Sequence, residues 1–292
     1  MNYRIFSYSL PYHPPFAERH GLLVCINEMQ WGEIAPLPGR NRETLAQAYD
    51  QLLLAMHCLS HNLSLPSLLP SVAFGIHSAL QPACRPRTIP LSALLTGSPR
   101  EILQQAEEAS RRGFTSAKVK VSHLPHHEIR PLLQELSAHF SLRIDANRAF
   151  SYAQACALFD VPCEYIEEPT YEIDSLAHFP HPLALDESAL ELNDFPPMKA
   201  IVIKPSTIGG YQECLELVQR AGAKVVLSSA CESGVGIVSI AQLPWIIEPL
   251  GLDTYRYLHH DLLRTPLDFS SNTLTLPLIL DVNTSLLKEL DQ

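Results

Sequence analysis

From about residue 87 onward the chain repeats one pattern, a short apolar run followed by a stretch with helical spacing. The apolar runs lie near residues 89–94, 116–121, 141–145, 164–167, 183–186, 200–204, 224–228 and 252–257. Neighbouring parallel strands need a long crossover, usually a helix, so eight such alternations restrict this part to an α/β parallel barrel. It spans only about 170 residues, against ~250 for a full barrel, so its helices must be brief or one must be missing. One helix can be placed in detail: Ser98 is a capping residue, Pro99 fits the first turn, Glu101 stands at the third helical position, and Gly113 ends the segment.

The first 86 residues have another character. A strand-like start leads into GLLVCINEMQWGEIAPLP, punctuated by Gly32 and closing prolines. Residues 43–59 then carry apolar positions at helical spacing, with Asn41 as candidate N-cap, and LPSVAFGIHSAL offers a second helix. Prolines 82, 86 and 90 mark a joint. The expected organisation is therefore an α+β module over residues 1–86, a barrel over 87–258, and a tail, 259–292, that packs back on the first module.

Composition narrows the partners. With 46% hydrophobic residues and a mean hydropathy of +0.03, the 292-residue chain can bury a large core. A net charge of −10 and a pI near 5.7 leave no basic stripe for a phosphate backbone, so nucleic acid is excluded as an expected partner. A small anionic substrate would need a local positive centre, such as a metal. No leader-like or membrane-spanning apolar run is present, which reads as a cytoplasmic protein without membrane contact, a monomer or small homo-oligomer. Seven scattered cysteines without a C-x-x-C pair suit reduced structural thiols, and His126, His127, His259 and His260 lack ligand spacing.

Barrel enzymes place reacting groups at the carboxyl ends of strands. Five consecutive strand ends are charged here: Lys118 and Lys120, then Asp145, then Glu167 and Glu168, then Asp186 and Glu187, then Lys204. Side chains two apart share a face, so both lysines point together. Taken alone, K-V-K also fits an amphipathic strand with Val119 and Val121 inward; Asp186 could be a helix cap, and Lys204 could reach out to solvent. Asp145, Glu168 and Asp186 together offer hard oxygen ligands from three adjacent strands, the kind Mg²⁺ prefers. Lys204 would face Lys118 and Lys120 across them.

K-x-K, D-A-N, E-E-P, D-E-S and K-P, in this order, resemble the enolase superfamily. WGEIAPLPG, LPSVAFGIHSAL, AKVKV, LRIDANRAF, IVIKP and SSACESGVG are similar, more closely, to bacterial o-succinylbenzoate synthases across nearly the whole chain. The resemblance implies a modified (β/α)7β TIM-like barrel with an N-terminal α+β capping domain, and Mg²⁺ as cofactor. It also implies Asp145, Glu168 and Asp186 as metal ligands, Lys120 as the base, and Lys204 as the opposed lysine. The small-molecule carboxylate substrate so implied is 2-succinyl-6-hydroxy-2,4-cyclohexadiene-1-carboxylate, dehydrated on the menaquinone route. Lys118 would tune the base, and Arg143 and Asn147 would orient the metal shell. Asn147, Ser229, Glu232 and Ser233 are candidate substrate contacts, and Phe16–Gly21 a candidate lid. Racemisation of N-acylamino acids or epimerisation of dipeptides, which uses the same two lysines, stays open, as do a Schiff-base aldolase and a non-catalytic binding barrel.

Overall fold

A computed structural model describes residues 1–13, 17–81, 85–245 and 248–290. The chain opens with three antiparallel strands, β1 (Tyr3–Pro11), β2 (Glu18–Ile26) and β3 (Gln30–Ile34). Two helices follow, α1 (Leu45–Ser60) and α2 (Pro70–Leu80). The cap of α1 is Thr44 rather than Asn41, because Thr44 accepts from the Gln47 amide while the Gln47 side chain reaches back to the Thr44 N–H. Asn41 serves a turn instead, accepting from the Leu37 amide at 2.8 Å. The two glycines of WGEIAP and VAFG have one explanation: a Cβ on Gly32 would lie 1.9 Å from the Gly75 carbonyl oxygen, and one on Gly75 would lie 2.5 Å from Ile34. Only bare backbone lets β3 and α2 approach this closely.

After β4 (Thr88–Pro90) comes the barrel sheet: β5 (Ala93–Leu95), β6 (Ser116–Lys120), β7 (Ser141–Asp145), β8 (Tyr165–Glu167), β9 (Leu183–Leu185), β10 (Ala200–Ile203) and β11 (Lys224–Leu227). These seven strands are all parallel and pair in sequence order. The connecting helices are α3 (Pro99–Arg111), α4 (His126–Ser137), α5 (Tyr152–Leu158), α6 (Pro205–Ile208), α7 (Tyr211–Ala221) and α8 (Gly234–Ala241), and β8 and β9 are followed only by 3₁₀ turns. Brief helices thus account for the short repeat. Helix α3 carries the expected Ser98–Glu101 capping box.

The eighth strand is not at 252–257, where a 3₁₀ turn, Asp253–Tyr257, stands instead. The ring closes through two residues: Leu250 bridges Leu91 and Gly251 bridges Ser228, both in parallel sense. Gly251 permits this, since a Cβ there would meet the Ser228 hydroxyl at 2.8 Å. The first expected strand, 89–94, is likewise divided between β4, which pairs with β12 (Thr273–Thr275), and β5.

Alternation along the strands fills the two sides differently. Val119, Ile144, Ile166, Leu185, Ile201 and Ile203 face outward into the core shared with the helices. Tyr165, Ala184, Ala200, Val202 and Val226 form the small inner cluster. The tail returns to the first sheet, where β13 (Lys288–Glu289) pairs antiparallel with β1. Among the described residues no helix is long and apolar enough to cross a membrane.

Two buried side chains tie the first sheet to the barrel. Glu33 of β3 accepts from Tyr8 Oη (2.5 Å), Ser233 N (2.9 Å), Ser233 Oγ (2.6 Å) and Gly236 N (2.8 Å), so its carboxylate caps the amino end of α8. Arg19 of β2 donates to the carbonyls of Ala35, Pro36, Ala230 and Cys231. Within the expected lid, Phe16 lies outside the described residues, while Glu18–Gly21 pair with Tyr8–Pro11 of β1 and are part of the sheet. The six cysteines among the described residues are free thiols, and Cys84 lies outside them.

Candidate active site

Because β6 turns Val119 outward, Lys118 and Lys120 both point into the mouth of the barrel. Lys118 Nζ lies 2.7 Å and 2.8 Å from the two oxygens of Glu167 and 3.0 Å from Asp145 Oδ2. Across the mouth, Lys204, at the carboxyl end of β10, donates to Asp186 Oδ2. Lys120, between them, makes no hydrogen bond or ion pair among the described residues. Asp145, Asp186 and the three lysines line one cavity, with Leu37 and Arg40 from the loop after β3.

Electrostatics divides the lysines. Burial pulls Lys118 down, but Asp145 and Glu167 more than offset it, and its ammonium is held well above the ordinary lysine range. Lys204 is likewise pulled down by burial and raised overall by Asp186. Lys120 is lowered: burial is the main cause, and the charges of Lys118 and Lys204 reinforce it against the pull of Asp145. The site therefore holds two fixed cations and one amine biased toward its neutral form.

The acids are arranged otherwise than the sequence suggested. Glu167 pairs in register with Asp145 and shares its inward face. Burial raises Glu167, Lys118 opposes this, and the charges of Asp145 and Asp186 raise it further, so the three carboxylates stand close enough to repel. Glu168, expected as the third ligand, is turned away. At φ 48° it leaves the strand, and its fully buried carboxylate accepts from Asp186 N (2.7 Å), Ser188 N (2.9 Å), Ser188 Oγ and Arg148 Nε (2.9 Å). Every lone pair it could offer a metal is engaged. Arg148 completes this network with bonds to Ser188 Oγ (2.7 Å) and Glu191 (2.8 Å). The second half of E-E-P, the Arg of D-A-N-R and the Ser of D-E-S thus fix the strand ends that carry Asp145 and Asp186.

Among the described residues no three acidic, histidine or cysteine side chains are gathered as a finished ligand set. Asp145 and Glu167 close on Lys118, and Asp186 closes on Lys204. The donor chemistry nevertheless fits Mg²⁺: three hard carboxylates from adjacent strand ends, already accommodating a cationic group within 3.0 Å of two of them.

The remaining expected residues divide. Asn147 and Ser229 line the cavity. Glu232 does not, because its carboxylate accepts from Ala230 N (2.6 Å) and Ser206 Oγ and so fixes its own loop. Ser233 is spent on Glu33 and the start of α8. Arg143 points toward the opposite end of the barrel, donating to Glu164 (2.8 Å) and to the Pro249 carbonyl (2.7 Å), not to a ligand of the mouth. Sequence reasoning named Glu167 as a charged strand end without taking it as a ligand, and it did not single out Arg148 or Arg40. Strand parity from Asp145 would have selected Glu167 over Glu168.

Residues 101–278 match the family model of enolase C-terminal domain-like proteins, and residues 2–83 match that of the MenC N-terminal domain. The o-succinylbenzoate synthase of Yersinia pestis (strain Pestoides F) is 35% identical over 298 residues, covering 86% of this chain and 89% of the relative. A crystal structure of o-succinylbenzoate synthase from Thermosynechococcus elongatus, complexed with Mg in its active site, is 27% identical, with a TM-score of 0.69 over 91% of this chain and 96% of that one. An L-Ala-D/L-Glu epimerase superposes with a TM-score of 0.80 over 94% and 98% of the two chains at 21% identity, a likeness of fold alone.

Proposed function

Because the chain belongs to the o-succinylbenzoate synthase family of the enolase superfamily, we propose that its barrel mouth dehydrates 2-succinyl-6-hydroxy-2,4-cyclohexadiene-1-carboxylate to 2-succinylbenzoate, a step of menaquinone biosynthesis. In this reading Asp145, Glu167 and Asp186 hold one magnesium ion, and Lys120 is the base. Residues 87–258 carry the chemistry, while 1–86, joined by the tail 259–292, supply Leu37 and Arg40 to one side of the site. The observation that carries the reading is the asymmetry of the lysines: Lys118 and Lys204 are each neutralised by a carboxylate, whereas Lys120 has none and is lowered by burial.

The proton α to a carboxylate is a very weak acid, and negative charge builds on the carboxylate oxygens as it leaves. A bound magnesium ion supplies positive charge against those oxygens. Lys120 takes the ring proton from C1, and the electron pair released forms the new ring double bond as the C6–O bond breaks. The Lys120 ammonium then returns the proton to the departing hydroxide on the same face, so that water leaves and the base is regenerated. The ammonium of Lys204, oriented by Asp186, stabilises negative charge from the opposite face. Glu168, Arg148 and Ser188 keep Asp186 in place.

Ultraviolet detection of the aromatic product tests this directly. Purified protein with magnesium is expected to form 2-succinylbenzoate, to stop when EDTA removes divalent ions, and to resume when magnesium is restored. Deuterium exchange into N-succinylamino acids or a dipeptide without aromatic product would instead favour the racemase or epimerase reading. Turnover of the cyclohexadiene that persists in EDTA would contradict the metal assignment.

A further inference from the structure

The dehydration substrate carries two carboxylates, one on the ring and one at the end of its 4-oxobutanoate tail. The lysine end of the cavity accounts for the first. The second would enter a cavity whose three lysines serve that end and whose lining also includes Glu187 and Asp253, so a further cation is needed to meet it. Arg40 is the one arginine among the described residues that line this cavity.

Its presentation is built. Arg40 N and Asn41 N both donate to the Leu37 carbonyl, at 3.0 Å and 2.9 Å, and Gly39 takes φ +78°, so residues 37–41 form a tight turn. Asn41 pins that turn to the barrel through the Ser206 carbonyl (2.9 Å) and to Glu43 (3.0 Å). The guanidinium spends one nitrogen on Glu187, 2.7 Å away, and its side chain remains 36% exposed. An arginine has five N–H donors in a planar fork, so donors remain for a second carboxylate. Leu37, Leu190 and Ile208 line the same cavity and suit a short methylene chain.

Resting on the function proposed above, we infer that Arg40 is a substrate-binding residue that recognises the terminal carboxylate of the succinyl tail and makes the site selective for dianions. Binding of the product to the magnesium-loaded enzyme tests it, with 2-succinylbenzoate compared against 2-butanoylbenzoate, in which a methyl group replaces the tail carboxylate. A charge-assisted pair of hydrogen bonds gives the wild type a preference of about 10- to 100-fold for the succinyl compound. Arg40→Ala loses that preference by weakening the succinyl compound alone, and KM for the cyclohexadiene rises by a similar factor while kcat falls less. Arg40→Gln repeats the test with a polar side chain of similar length.

A variant that keeps the preference, or weakens both ligands equally as the loss of a loop-to-barrel strut through Glu187 would, overturns the assignment. So does a wild type that binds the two compounds alike. If the wild type forms no 2-succinylbenzoate at all, the functional reading itself fails. If it does and only the preference persists in the variants, Arg40 alone is excluded.

Discussion

Lys120→Ala is expected to lower kcat by about 10³- to 10⁴-fold, the range lost with a positioned general base, and to leave the protein folded. Lys120 is an amine with no carboxylate partner, in a place where burial disfavours its charge. Removing it orphans no anion, so the urea-unfolding midpoint should stay level or rise. Lys204→Ala differs because it leaves the Asp186 carboxylate, now held well below the usual carboxylate range, buried without its ammonium. That variant should lose both turnover and stability. Steady-state rates alongside unfolding curves separate the two outcomes, and a Lys120→Ala enzyme within tenfold of wild type would remove the assigned base.

The two glutamates of E-E-P should respond in opposite ways. Glu167→Gln keeps the shape of the side chain and one acceptor for Lys118, so a stability change of about 1 kcal/mol is expected, with turnover reduced by about 10³-fold for want of one charged ligand. Glu168→Gln places an amide N–H₂ among donors from Asp186 N, Ser188 N and Arg148, at a position with no solvent access. Breaking a buried charged network from one side costs about 3–5 kcal/mol. The second variant should therefore unfold at markedly lower urea, and its loss of activity should follow the displacement of Asp186. Urea titration with kcat measured well below each transition distinguishes a chemical from an architectural glutamate.

That contrast also marks what a sequence can reveal. The parallel barrel was legible because short apolar runs alternate with helices, and the lysines and Asp145 because charges close those runs. The α3 start was legible too, since a capping box is a local rule; the same rule, Thr44 with Gln47, marks the start of α1, where Asn41 satisfies only the weaker single-residue form of it. Adjacent glutamates cannot share a face, and choosing between them required counting alternation in register with the neighbouring strand, information that is non-local. The eighth strand was misplaced for the same reason: two residues, Leu250 and Gly251, close the ring by backbone bridges that leave no side-chain pattern. Glu232 and Ser233 resemble loop contacts in sequence, but their partners, Ser206 and Glu33, are distant in the chain. Arg40 carries no local signature at all, and only the packing of its turn on the barrel brings it to the cavity.

Direct metal binding is the sharpest test of the central claim that Asp145, Glu167 and Asp186 converge on one divalent ion. Mn²⁺ can stand in for magnesium and be followed by electron paramagnetic resonance at equilibrium, without substrate. Wild type should bind one Mn²⁺ per chain, Mg²⁺ should displace it, and Glu167→Gln should weaken it by about 10- to 100-fold, as loss of one charged hydrogen-bonding or ligating group does. Undiminished Mn²⁺ binding by Glu167→Gln, with binding lost in a Glu168→Gln protein that is still folded, would contradict the account.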